Sequence, residues 1–126
     1  MAFVYVNPNP REKRIGDCVI RALSLAEGQR WAKTYRDLAV LGMEMCDMPS
    51  SNGVWGEYLK RRGYTRHIIP DTCPDCYSIK KFSTDHKKGS YIVGTGSHVV
   101  YIKNGNYMDT WDSGDETPIF YYTKEE

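Results

Sequence analysis

The sequence predicts an α+β fold in which N-terminal helices pack on a C-terminal antiparallel β-sheet. Three observations carry this. Apolar residues recur at helical spacing from residue 16 to about residue 63. After Lys87-Lys88-Gly89 the period changes to alternation, in short runs rich in Val, Ile and Tyr. Between two of those runs stands Asn104-Gly105, the strongest short signal for a tight hairpin. A chain of 126 residues is long enough to bury a real core, and it reads as one domain over 1–126, helical over about 16–63 and sheet over about 64–122.

Residues 3–6 are β-formers, and Asn7-Pro8-Asn9-Pro10 ends them because a proline cannot donate to a ladder. Residues 11–16 form a polar loop. Gly16-Asp17-Cys18-Val19-Ile20-Arg21-Ala22-Leu23 then opens the first helix, with Gly16 for sharp entry and Asp17 as N-cap. Its buried stripe is Val19, Ile20, Leu23 and Ala26 or Glu27, and Gly28 is a natural C′ residue. A second helix over 29–46 sets Trp31, Tyr35, Leu38, Leu41 and Met45 on one face. Residues 47–52 stop it. A third helix, about 53–62, buries Val54, Trp55, Tyr58 and Leu59 and is capped by Gly63. Lys60, Arg61 and Arg62 suit its negative end and read as a solvated terminus. A strand over 64–69 leads to a loop at 70–76, and Ser78 caps a short helix with Ile79 and Phe82, ending near His86. Strands follow at 91–94, 98–102, 107–111 and 119–122, and 124–126 is a frayed tail.

Composition narrows the function classes. Lys and Arg number 17 against 16 Asp and Glu, a net charge of +1 that offers no electrostatic case for nucleic acid or an anionic membrane. The N-terminus is too short and unflanked for a signal peptide, and no apolar run approaches a membrane span. Cysteines at 18, 46, 73 and 76 could pair, yet a chain with a full core does not need them to. The expected setting is a reducing cytoplasm, and no cofactor is expected.

Cys18 falls on the first turn of a helix, where unpaired N–H groups and the helix dipole favour negative charge. That setting lowers a thiol pKa and suits a thiolate nucleophile, and the same N–H groups can hold an oxyanion. From this stretch alone, the plainer reading of Cys18 is a small apolar filler, since free Cys is often buried. The hairpin supplies partners. With Asn104-Gly105 as a two-residue turn, Lys103 faces Asn106, Ile102 faces Tyr107, Val100 faces Asp109 and His98 faces Trp111. His98, Val100, Asp109 and Trp111 then share a side, with His98 and Asp109 diagonal neighbours. Asp112 comes out on the other side, so Asp109 is the expected partner unless the register slips by one. A carboxylate beside a histidine fixes its tautomer, and the ring can take a proton from a thiol. A histidine satisfied within a sheet core is the plain alternative.

Asp17-Cys18 and Gly96-Ser97-His98-Val99-Val100, followed by Asp109 on the next strand, resemble the papain-like cysteine peptidase superfamily, in its small bacterial branch similar to the bacteriocin-processing peptidases. The whole chain also looks like small phage and prophage proteins of Gram-positive bacteria, which share the run Gly16 to Ala22, Gly89-Ser90-Tyr91, Ser97-His98-Val99-Val100 and Asp109-Thr110-Trp111-Asp112. The resemblance implies a papain-like fold with Cys18 as nucleophile, His98 as general base and acid, and Asp109 as the residue that orients it. Papain-like enzymes usually carry an oxyanion-hole Gln six residues before the nucleophile. That position here is Glu12, which cannot donate when ionised. Asn7 or Asn9 could replace it, or could serve only the turn beside Pro8 and Pro10.

Other groups are less specific. Cys73-Pro74-Asp75-Cys76 could serve zinc or redox chemistry, but Cys46, His67 and His86 supply no second ligand pair at finger-like spacing, and a turn into the Ser78 helix is the expectation. Asp112-Ser113-Gly114-Asp115-Glu116 lacks the spacing of a calcium loop and reads as a solvated turn. Trp111 could shield His98 or be an ordinary core aromatic. The expected function is a cysteine hydrolase acting on a peptide, isopeptide or side-chain amide bond of a protein or peptide, in the cytoplasm of a bacterial host. The alternatives are a non-catalytic module on the same scaffold that blocks a host or defence protein, and a zinc-stabilised interaction domain.

Overall fold

Two of the turn signals act as chemistry requires. Asn104 and Gly105 adopt φ of 51° and 80°, the left-handed values that a two-residue hairpin turn needs. Gly28 ends the first helix at φ 61°, where its N–H reaches back to the Leu25 carbonyl. The computed structural model describes residues 2–70 and 77–124. In chain order the elements are β1 (Phe3–Tyr5), α1 (Cys18–Glu27), α2 (Trp31–Glu44), α3 (Asn52–Arg61), β2 (Tyr64–Ile68), α4 (Ile79–Asp85), β3 (Ser90–Gly94), β4 (Val99–Lys103), β5 (Asn106–Asp109) and β6 (Phe120–Lys124). Ser78 caps α4 by accepting from Lys81 N–H, and Ser51 caps α3 by accepting from Val54 N–H. Cys73 and Cys76 lie outside the described residues.

The architecture is α+β with a six-stranded mixed sheet ordered β1-β5-β4-β3-β6-β2. The expectation is a mainly antiparallel sheet of C-terminal strands, and the structure adds an N-terminal one: β1 lies at one edge, parallel to β5, with Phe3 opposite Tyr107 and Tyr5 opposite Asp109. A parallel neighbour is reached only by a long crossover, here all of the chain from α1 to β4. The hairpin pairs Lys103 with Asn106 and Ile102 with Tyr107, the register obtained by counting from the turn. β6 runs on to Lys124, paired with Tyr64, so this part of the tail is not frayed.

Both faces of the sheet are covered. On one, Val19 and Leu23 of α1, Leu38 of α2 and Val54, Trp55 and Leu59 of α3 meet Ile92, Val99, Tyr101, Phe120 and Tyr122. On the other, Ile79 and Phe82 of α4 meet Val93, Val100, Ile102 and Tyr107. Residues 99–102 are therefore an unbroken apolar run, because each face of β4 buries every second side chain. The buried face of α2 differs from expectation: Tyr35 is 52% exposed and Met45 40%, whereas Thr34, Leu38, Leu41 and Gly42 are buried. Ser24 and Gln29 hydrogen-bond the Thr34 hydroxyl, so a polar residue can sit inward there. Arg62 is likewise not merely solvated: it pairs with Glu27 and Asp37 and lies over the Tyr58 ring. No helix among the described residues is long and apolar enough to cross a membrane.

Candidate active site

Cys18 is the first residue of α1, half-buried at the rim of the sheet. Asp17 holds the N-cap position but does not cap, having φ −108° and ψ 26° and no side-chain bond to the helix N–H groups. Its carboxylate turns instead to stronger donors. Oδ1 accepts from Arg21 Nε at 2.8 Å, and Oδ2 accepts from Trp31 Nε1 at 2.9 Å and Asn9 Nδ2 at 3.3 Å. The N–H groups of the first turn, Cys18 included, have no partner within the helix.

His98 enters β4 from the short loop after β3. Thr95 N–H donates to the His98 carbonyl, His98 N–H donates to Thr95 Oγ1, and Gly96 supplies the left-handed φ of 98°. Alternation assigns His98 and Asp109 to the face of Val100, which packs toward α4. They still meet α1, because His98 stands just before β4 and Asp109 is the last residue of β5, both at the sheet's end. There His98 Nε2 donates to Asp109 Oδ2 at 2.6 Å. The other ring nitrogen, Nδ1, is left for the Cys18 sulfur, which is near enough for each group to shift the other's pKa. The Trp111 ring stands 4.8 Å from the imidazole, centroid to centroid, and is 43% exposed, so it screens one side of His98 from water.

Asp109 is 1% exposed and fully bonded. Oδ1 accepts from Arg21 Nη1 at 2.8 Å and from Thr110 N–H at 2.8 Å, and Oδ2 accepts from His98 and from Ser113 Oγ at 2.7 Å. Burial pushes its pKa up, but the bonds from His98, Arg21 and Ser113 bring it below the ordinary value, so it is a carboxylate. Burial pushes the His98 imidazole down, yet the bonds to Asp109 and Cys18 outweigh it and raise the ring to about 9. Burial pushes the Cys18 thiol up, and the bond and charge of His98, the Val99 N–H and the Arg21 charge together bring it below its ordinary value. Sulfur and imidazole thus favour the charged pair, thiolate and imidazolium.

The structure brings Cys18, His98 and Asp109 together. Asn9 reaches them only through Asp17, and Asn7 does not reach them: its Nδ2 donates to the Lys13 carbonyl and its Oδ1 accepts from Asn9 N–H. Asp112 is elsewhere, accepting from Tyr107 Oη at 2.7 Å and Gly114 N–H. The acidic turn is built rather than merely solvated, since Ser113 is wholly buried and the Gly114 and Glu116 carbonyls receive Lys80 and Ile79 N–H at the start of α4. Sequence reasoning missed Arg21, Ser113 and the inward role of Asp17. A signal for Arg21 existed: it stands one turn after Asp17, between apolar residues of a buried helix. A hollow of about 560 Å³ lies at the opposite end of α1, beside Glu27, Tyr64 and Tyr101, and includes none of the three residues. Comparison of the chain with protein-family models, curated proteins and solved structures finds no match in any of the three.

Proposed function

We propose that this protein is a cysteine hydrolase of papain-like arrangement, with Cys18, His98 and Asp109 as its catalytic residues. The observation that carries the reading is the meeting of three groups: His98 Nε2 bonds Asp109 Oδ2 at 2.6 Å, and the imidazole in turn lies near enough to the Cys18 sulfur to favour its thiolate. The thiolate attacks an acyl carbon, and the carbonyl π electrons move to oxygen. The Cys18 N–H at the head of α1 receives that oxyanion. As the tetrahedral intermediate collapses, the C–N bond breaks and His98 gives its Nδ1 proton to the leaving amine. Neutral His98 then takes a proton from water, the resulting oxygen nucleophile attacks the thioester, and thiolate and imidazolium return. Asp109 holds the ring tautomer and stabilises the imidazolium throughout. The substrate class is a peptide, isopeptide or side-chain amide of a protein or peptide, and the setting is the cytoplasm of a bacterial host.

Alkylation by iodoacetamide at pH 6 tests this without a substrate. Cys18 is expected to react roughly tenfold or more faster than exposed Cys46, because His98 favours its thiolate. The advantage disappears in His98→Ala. Equal rates at Cys18 and Cys46 in the wild type would leave a binding module and remove the hydrolase.

A further inference from the structure

Arg21 is a cation on the buried face of α1, with its side chain 7% exposed. It bridges two carboxylates: Nε donates to Asp17 and Nη1 to Asp109, each at 2.8 Å. Burial of α1 does not require it. Buried ion pairs can often be replaced by apolar side chains of similar volume at no loss of stability, so the bridge is weak evidence for a stabilising role. What it does uniquely is join residues on either side of the site.

We propose that Arg21 is a positioning residue for the Cys18–His98 pair: it ties Asp109 to the helix that carries the sulfur, and it shares that carboxylate with the imidazole so that His98 can release its proton. The proposal rests on the hydrolase reading. Its geometric half follows from helix spacing. Cys18 and Arg21 are three residues apart and neighbour each other on α1. Helix backbone, guanidinium, carboxylate and imidazole therefore run as one bonded chain from α1 to the ends of β4 and β5, and its far end, the imidazole, stands beside the Cys18 sulfur of the same helix. Sliding of α1 along the sheet strains both links at once.

The electrostatic half follows from how Asp109 divides its oxygens. Oδ1 faces Arg21 and Thr110, whereas Oδ2 faces His98 and Ser113. A buried carboxylate facing an imidazolium alone would hold its proton harder, and an acid that cannot release a proton fails the leaving amine. The charged groups facing Arg21 are Asp17 ahead of α1 and Asp109 on β5, with His98 before β4 and Cys18 on α1 beyond them. A cation at this place favours the thiolate and disfavours the imidazolium.

The test measures two titrations, neither needing a substrate: the pH dependence of Cys18 alkylation, and the NMR shift of the His98 ring. Four proteins are compared: wild type, Arg21→Lys, Arg21→Met, and Arg21→Met paired with Asp17→Asn. The paired variant removes one buried anion with the cation, and it carries the test where Arg21→Met alone does not fold. Losing the cation is expected to move both titrations upward by about one pH unit in Arg21→Met, and by less in the paired variant. Lysine keeps the charge without the fork and is expected to return both titrations toward wild type. Folded Met variants that titrate as wild type, or a lysine variant that restores neither titration, overturn the proposal. A wild-type Cys18 that titrates as an ordinary thiol overturns the hydrolase reading instead.

Discussion

With the His98 imidazole raised to about 9 and the Cys18 thiol below its ordinary value, the two groups are both charged over a window of pH between them. The signs fix the shape of a rate profile. A lowered thiol is ionised above its new value, so on the hydrolase reading activity rises as pH climbs through that value. A raised imidazole is protonated below about 9, so on the hydrolase reading the rate falls as pH passes 9 and the acid for the leaving amine is lost. The expected kcat/KM profile is a bell with its alkaline limb near 9. Asp109→Asn removes the acceptor that raises the imidazole. Its alkaline limb is expected to move down toward 6.5, and kcat/KM to fall by about 10²–10⁴-fold. An unchanged alkaline limb in that variant would separate His98 from Asp109. The nearer half of the Arg21 bridge, to Asp17 one turn back, left a mark in the sequence; the other half did not, because Asp109 is 88 positions away.

Individual elements show which signals travel in a sequence. The β4–β5 register is legible because two residues admit left-handed φ, and every later pairing follows by counting. That count puts His98 beside Asp109 but cannot place Cys18, since alternation assigns the pair to the face away from α1. Only the position of both residues at strand ends resolves this. The inward face of α2 is illegible because Thr34 is polar and buried, and because Gly42 is present for closeness, its absent Cβ leaving 2.9 Å to the Asp47 carbonyl oxygen. Closeness also governs Gly94 on β3. A Cβ there would stand 2.4 Å from the buried Phe120 ring on β6. Gly94→Ala is expected to cost about 1–3 kcal/mol, read as a lower midpoint in urea with an unchanged slope. A stability equal to wild type would mean that the ring gives way freely.

For the whole molecule, the α+β class and the division into a helical half and a sheet half are legible from the change of period near Gly89. The parallel edge is not, because a three-residue strand carries no mark of its neighbour. That edge bears on the site: β1 pairs with β5 up to Asp109, and Val6 N–H donates to the Asp109 carbonyl at 3.0 Å. Deleting residues 2–6 is expected to lower Tm by several degrees and to slow Cys18 alkylation at pH 6, because Asp109 loses its backbone support. Equal alkylation in the truncated protein would confine β1 to stability.

The sulfur and the groups that ionise it come from opposite halves of the polypeptide, so no local fragment can assemble them. A chain still emerging from the ribosome carries a thiol no more reactive than free cysteine. On the hydrolase reading, enhanced reactivity at this position is a gauge of completed folding. On the hydrolase reading, fast labelling of the sulfur would begin only once the strands that carry His98 and Asp109 have docked on α1.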